Sequence, residues 1–406
     1  MMKAFHMSET GARHLWNKKV CQDSSASFSD EYGTVAVVSD GHGCREALRS
    51  QIGSAMACEA AVKNIRLLLK NISSEEFLKN PEEVLTQLEV SIINDWNEAV
   101  RTHYEANPFT DSELSDISEQ IRYIYSMGEC IENAYGATLI ASAAAEDFWF
   151  AVQIGDGKCV AVDSEGICSQ PVPWDDKCFL NITTSLCDED AIHDFRHYYS
   201  ETIPTAVLVG TDGIDTSFTD NEALYAFYQK ILYGFSISDA EDAYCELKEY
   251  LPRLSKQGSG DDVSIAAWMD MAILQEVVAQ IRERESENTE REKENSAKAE
   301  EEKREENSEK PEEEKEIEED RKEQESEKEG KDEAEKKYED CRKINDKNRP
   351  HPKFCCMCGA KLLPGLHYCE CGARVLVNTI KPNAEPFYIE KAKFIYRLEK
   401  YLMYHS

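Results

Sequence analysis

The sequence up to Trp268 predicts an α+β domain, antiparallel sheets with helices packed outside them, on three observations. Short apolar runs rich in Val, Ile, Ala and Phe recur as candidate strands, as in VAVVSDGHGC from Val35 to Cys44. Between them lie amphipathic stretches such as REALRSQIGSAMACEAAVKNIRLLLK and EEVLTQLEVSIINDWNEAV, whose apolar residues return at helical spacing. Neighbouring runs in ATLIASAAAEDFWFAVQIGDGKCVAVDSEG are parted only by turn-sized acidic or glycine breaks, which reads as antiparallel hairpins and not as βαβ units. Beyond this domain the chain predicts a charged helical spacer and a small cysteine-rich module.

A chain of 406 residues has room for one sizeable core and something smaller beside it. The net charge of -33 argues against nucleic acid or an anionic membrane as partner, since both need a basic footprint. Most of the fifteen cysteines stand singly in apolar segments, as at Cys58, Cys130, Cys159 and Cys245, while five crowd between Cys355 and Cys371. Reduced thiols plus a metal site fit that pattern better than a disulfide framework. The first residues, MMKAFHMSETGARHLW, lack an apolar signal core, and no apolar run approaches the roughly 20 residues of a spanning helix. The expected location is cytoplasmic.

The expected organisation is a domain over 1–272, a charged linker over 273–349, a cysteine module over 350–376 and a tail over 377–406. The linker is dominated by Glu, Lys and Arg, interrupted by Pro311 and Gly330. Its Glu-to-Lys pairs support a solvated helix by about 0.2–0.5 kcal/mol each. Apolar heptads are missing, so it reads as a semi-rigid spacer in preference to a coiled-coil partner site. Cys355-x2-Cys358 and Cys369-x-Cys371 resemble the two knuckles of a zinc ribbon, which would fold around one structural zinc. The second knuckle is one residue short, which leaves His367 as an alternative ligand and Cys356 as a spare thiol; a redox pair is the other reading. In the tail, Tyr388, Ala392, Ile395, Leu398 and Leu402 share one helical face, read as packing. An unknown protein partner is expected through the ribbon or the tail.

The strand-like runs carry acids beside glycines at their ends. Asp40 stands in VSDGHG, Asp156 in IGDGK, Asp212 in VGTDGI, and Asp261 with Asp262 opens the run DDVSIAAW; Asp23 precedes them all in VCQDSS. Converging carboxylates repel one another unless a cation holds them or their pKa values shift. Oxygen-only ligation suits magnesium or manganese, not zinc. Adjacent glycines let backbone carbonyls approach an ion. Any one Asp-Gly alone also reads as a hairpin turn.

In order, CQDSS, VSDGHG, YGATLIAS, IGDGK, VGTDGI and GSGDDVSI, with FLNITTSL ahead of the fifth, resemble the motifs of metal-dependent type 2C protein phosphatases (the PPM family), in particular their short bacterial branch. The resemblance implies a layered α-β-β-α sandwich that hydrolyses phosphoserine and phosphothreonine proteins with two manganese or magnesium ions. It implies that Asp40 bridges the two ions, that the Gly41 carbonyl binds one of them, and that Asp212 and Asp261 bind the other. Asp23 would orient metal-bound water, Asp156 would help hold a third, weaker ion, and His42 would be the general acid. The resemblance further implies that a hydroxide held between the ions would attack phosphorus in line and that a His42 imidazolium would protonate the leaving oxygen.

Three departures accompany the resemblance. One acid of the pair before the first motif is Gln22; the phosphate-gripping arginine of eukaryotic members is replaced by Lys18 or Lys19; and DGIDT moves the second acid of its motif to Asp215. The rival class is a non-catalytic phosphoprotein-binding scaffold on a degenerate phosphatase fold, and a phosphatase of small phosphometabolites is a third reading.

Overall fold

The computed structural model of the protein describes residues 2–178 and 182–284. Contacts divide the chain into two units, Met1–Glu302 and Lys303–Ser406, and every described residue lies in the first. The expected spacer beyond 284, the ribbon of Cys355, Cys358, Cys369 and Cys371, and the tail fall outside the described residues.

In chain order the strands are β1 (Met2–Glu9), β2 (Ser24–Asp30), β3 (Gly33–Ser39), β4 (Leu139–Ala144), β5 (Trp149–Ile154), β6 (Lys158–Val162), β7 (Cys168–Ser169), β8 (Arg196–Ser200), β9 (Ala206–Gly210) and β10 (Val263–Asp270). The helices are α1 (Ala12–Trp16), α2 (Ser50–Asn71), α3 (Ser74–Lys79), α4 (Pro81–Ala106), α5 (Asp111–Leu114), α6 (Glu119–Ser126), α7 (Ala191–Asp194), α8 (Asp212–Asp215), α9 (Asn221–Ile237) and α10 (Ala240–Gln257). Two antiparallel sheets form, ordered β1-β10-β9-β6-β7 and β2-β3-β4-β5-β8.

Strand alternation builds the layers, because successive side chains point to opposite faces. Along β10, Val263, Ile265, Ala267 and Met269 pack outward with α9 and α10 residues such as Leu224, Leu232 and Leu251. Ala266 and Trp268 point the other way, between the sheets. There the small side chains of Ala36, Ala151 and Ala161 leave space for Trp149 and Trp268, which meet edge to face at 6.1 Å. Each indole is satisfied: Trp268 donates to Ser142 Oγ (3.1 Å) and Trp149 to the Thr202 carbonyl (2.9 Å). On the second sheet α2 and α4 cover the outer face, where Trp96 donates to the Gly53 carbonyl at 2.9 Å. The expected α-β-β-α layering is present.

Two details differ from the sequence reading. β4 and β5 form the expected hairpin, but β5 and β6 do not pair. The chain crosses to the other sheet through Gly155, Asp156 and Gly157, and both glycines take positive φ (95° and 85°), which a residue with a Cβ rarely adopts. Packing also runs past 272. Residues 274–284 are helical and bury Leu274, Val277, Val278 and Ile281, of which Leu274 and Val278 join the outer core of the first sheet. No described helix is long and apolar enough to cross a membrane.

Candidate metal centre

Strand register brings the acidic ends together at one end of the sandwich. Ser24 pairs with Ser39, which sets Asp23 beside Asp40. Gly210 pairs with Ile265 on one side and Lys158 on the other, which gathers Asp212, the Asp156 turn, Asp261 and Asp262. Asp40 is fixed from both backbone groups: its N–H donates to Thr138 Oγ1 (3.1 Å) and its carbonyl accepts the Thr138 N–H (2.9 Å). Thr138, in the YGATLIAS segment, is thus what holds the first acid. At Gly41 a Cβ would lie 2.4 Å from the Gln22 carbonyl oxygen, so only glycine lets the turn close. Asp23 accepts a hydrogen bond from Thr211 Oγ1 at 2.7 Å.

Electrostatics at this end are unfavourable without a cation. Burial pushes the Asp23 and Asp40 carboxyls well above the usual range, and neighbouring acids push further, Asp262 and Asp212 on Asp23, Asp23 and Asp212 on Asp40. Asp212, in hydrogen-bonding contact with Asp40, is pushed up to about 6, first by burial and then by Asp156, Asp261 and Asp215. Burial raises Asp156 as well, partly offset by its hydrogen bond from Thr183. Such a set holds either protons or metal. Among the described residues no group of three Asp, Glu, His or Cys side chains is already placed to hold a metal ion. The donor set fits magnesium or manganese, because carboxylates and the Gly41 carbonyl are all oxygen. Gln22 Oε1 adds a buried acceptor with no hydrogen-bond partner among the described residues.

Asp262 behaves oppositely. Burial works to raise it, but hydrogen bonds from His14, the Gly11 N–H and the Gln22 N–H outweigh that and hold it below the usual range. These bonds dock α1, a five-residue helix too short to persist alone, onto the metal end. Gly11 sits so close that a Cβ would lie 2.2 Å from the Asp261 carbonyl carbon, and the Ala12 N–H donates to Ser255 Oγ at 3.0 Å. Arg13 then reaches Asp261, Nη2 to Oδ2 at 2.6 Å, with its stem laid over Gly260.

The Asp156 turn is held by a ring of bonds. The Gly155 N–H donates to Thr184 Oγ1 (3.0 Å), which donates to Asp175 (2.9 Å). Asp175 faces Arg196 Nε at 4.0 Å, and Arg196 Nη2 donates back to the Gly155 carbonyl (2.5 Å), which Gln153 Nε2 also reaches. Thr183 Oγ1 accepts the Asp156 N–H and donates to its carboxylate.

Residues 10–252 match protein phosphatase 2C. The chain belongs to the protein phosphatase 2C family. Among solved structures it is similar to PppA, described as a key regulatory component of T6SS in Pseudomonas aeruginosa, at 15% identity over 66% of this chain and 97% of that one (TM-score 0.42). The serine/threonine phosphatase Stp1 from Staphylococcus aureus has 15% identity, with 66% of this chain and 95% of that one covered (TM-score 0.42). The catalytic domain of the serine/threonine phosphatase PstP in complex with two manganese ions has 16% identity, with 66% and 97% covered (TM-score 0.40). No curated protein matches the chain.

In this phosphatase 2C domain the site residues read from the sequence fall into two groups. Asp23, Asp40, Gly41, Asp156, Asp212 and Asp261 gather at one end. His42 is half-buried beside Ser185, and Lys18 lies exposed in the turn after α1. The His42 ring is packed over Gly136 with Nε2 at 2.7 Å from Ser185 Oγ, and burial pushes it down to about 4. Lys18 is exposed in a left-handed turn (φ 55°) closing α1, and the cation that meets the acids from this segment is Arg13. Asp215 is paired with Lys158 at 2.6 Å, and that ammonium is also held by Asn221. Arg13, His14, Lys158 and Arg196 escaped the sequence reading. Arg13 and Asp261 lie 248 residues apart, and no spacing rule joins them.

Proposed function

We propose that this phosphatase 2C member is an active metal-dependent serine/threonine protein phosphatase that hydrolyses phosphoprotein monoesters. One observation supports the reading: Asp23, Asp40 and Asp212 are buried or half-buried at one end of the sandwich, their carboxyls raised first by burial and further by neighbouring acids, an environment that a bound cation would relieve. Asp40, the Gly41 carbonyl, Asp212 and Asp261 would hold two manganese or magnesium ions, with Asp156 alongside. When bound, such ions neutralise phosphoryl charge and make a water nucleophilic near pH 7. Asp23, fixed by Thr211, accepts a hydrogen bond from the attacking water and so sets its direction. Arg13, which now pairs with Asp261, would be free to hold a phosphoryl oxygen if Asp261 held a cation instead, and its fork suits that oxygen better than an ammonium does. His42 would give a proton to the departing oxygen, with a phosphoryl dianion beside the ring offsetting the lowering that burial imposes on it.

The same proposal keeps one structural zinc on Cys355, Cys358, Cys369 and Cys371, a protein partner for the ribbon or tail, and a cytoplasmic location. The test is phosphate release from phosphothreonine and phosphotyrosine peptides side by side, with and without manganese. Manganese-dependent release that favours phosphothreonine about tenfold or more is expected. No release from either peptide at any manganese concentration would overturn the reading.

A further inference from the structure

The helix that carries Arg13 to Asp261 also carries the most exposed large apolar side chain among the described residues, Trp16, at 87%. Leu15 (63%) and Val20 (62%) lie beside it in the chain, and Lys18 and Lys19 stand between. None of the side chains of α1 is buried, so its apolar residues do not serve the core. An indole left in water is unfavourable, and Trp is over-represented among the side chains that dominate affinity at binding surfaces. The segment is held firmly. Gly11, Ala12, Arg13 and His14 bond to residues 255–262, and the turn after α1 folds back, the Lys18 N–H on the Leu15 carbonyl (3.2 Å) and the Lys19 N–H on the His14 carbonyl (2.9 Å). A rigid apolar knob with basic neighbours therefore abuts the metal end, on a chain of net charge -33.

We infer that α1 and the turn after it form the docking platform for the protein substrate: Trp16, with Leu15 and Val20, takes an apolar residue flanking the phosphorylated side chain, and Lys18 and Lys19 complement the phosphate's charge. This rests on the phosphatase reading and names its substrate class, a phosphorylated peptide segment in place of a small phosphometabolite. A phosphorylated residue carries roughly -1.5 to -2 charges, so the three cations at Arg13, Lys18 and Lys19 suit it. A small phosphometabolite has no flanking residues on either side of its phosphate to reach both Trp16 and Val20.

The test compares the full chain with Trp16→Ala and Trp16→Phe on three substrates: a phosphothreonine peptide with Leu and Ile flanks, the same peptide with Gly and Ser flanks, and nitrophenyl phosphate. Trp16→Ala should lower kcat/KM on the apolar-flanked peptide about tenfold or more, through KM, with nitrophenyl phosphate changed less than about twofold. Trp16→Phe should recover most of the loss. Trp16 emission, taken as wild type minus Trp16→Phe in metal-free buffer, should shift to the blue as the apolar-flanked peptide saturates. Equal losses on all three substrates, or no loss on any, overturn the platform. So does a Trp16 emission already blue-shifted without peptide, which would mean that the chain itself or a second copy covers the knob. If the phosphatase reading fails, wild type releases no phosphate from any substrate, and the emission shift still decides whether the peptide docks.

Discussion

Gln22 stands where the resemblance expects the first acid of a pair, and its neighbours account for the amide. Its Nε2 donates to Ser50 Oγ (2.6 Å) and to the His42 carbonyl (3.1 Å), while its backbone N–H goes to Asp262. A carboxylate there has no proton to give and adds charge beside Asp262. Gln22→Glu, although closer to the family pattern, should therefore lower unfolding free energy by about 1–3 kcal/mol, the cost of stranding a buried polar partner. Urea unfolding at pH 7 reads this, and an unchanged or higher midpoint would contradict it. The acids themselves were legible in the sequence because an acid and glycine at the end of an apolar run form a local pattern. His42 was legible as a motif member but not as a half-buried ring, since its burial comes from Gly136 and Ser185, far along the chain. Arg13 and Arg196 carry no local mark at all; their parts in the site exist only through tertiary contact.

Elements are joined around the centre by a clamp that makes stability depend on pH. His197 on β8 lies between two glutamates of α4, Nδ1 at 2.8 Å from Glu89 and Nε2 at 2.7 Å from Glu82. The hydrogen bond to Glu89 leads in pushing the imidazole up to about 9, against burial, and Glu82 adds to it. A histidine raised in the folded state contributes fully below its unfolded value near 6.5 and loses that contribution as pH rises through 9. Glu82 is well exposed, so screening limits the effect to on the order of 1–2 kcal/mol. The gap in unfolding free energy between wild type and His197→Gln should be larger at pH 6 than at pH 9.5; a gap that does not narrow would show that the clamp does not titrate. At this scale, hairpins and long helices were readable from periodicity. The crossing from β5 to β6 was not, because it depends on two glycine conformations. Residues 274–284 were read as the start of the charged linker, although Leu274, Val277, Val278 and Ile281 keep the i, i+3, i+4, i+7 spacing of a packed face inside the onset of the charge run.

For the whole molecule, that last helix belongs energetically to the sandwich. A chain ending at 272 uncovers the sheet face where Leu274 and Val278 pack, and each such side chain contributes about 1.5–3 kcal/mol when buried. A chain ending at 284 should thus melt several degrees higher than one ending at 272; equal melting temperatures would place the edge of the domain where the sequence suggested. The layered sandwich carries acids from several strand ends to one end of the molecule, where the proposed cations and phosphoryl group would meet. The most direct test is the manganese dependence of phosphate release from a phosphothreonine peptide by wild type and by Asp212→Asn, which removes charge at that point while nearly keeping shape. Wild-type activity should rise with manganese, and the variant should fall by about 100-fold or more at low manganese, as expected when an electrostatic contact to the transition state is lost, with part of the rate returning at high manganese. A variant as fast as wild type at low manganese would contradict the assignment of this end of the sandwich as the hydrolytic centre.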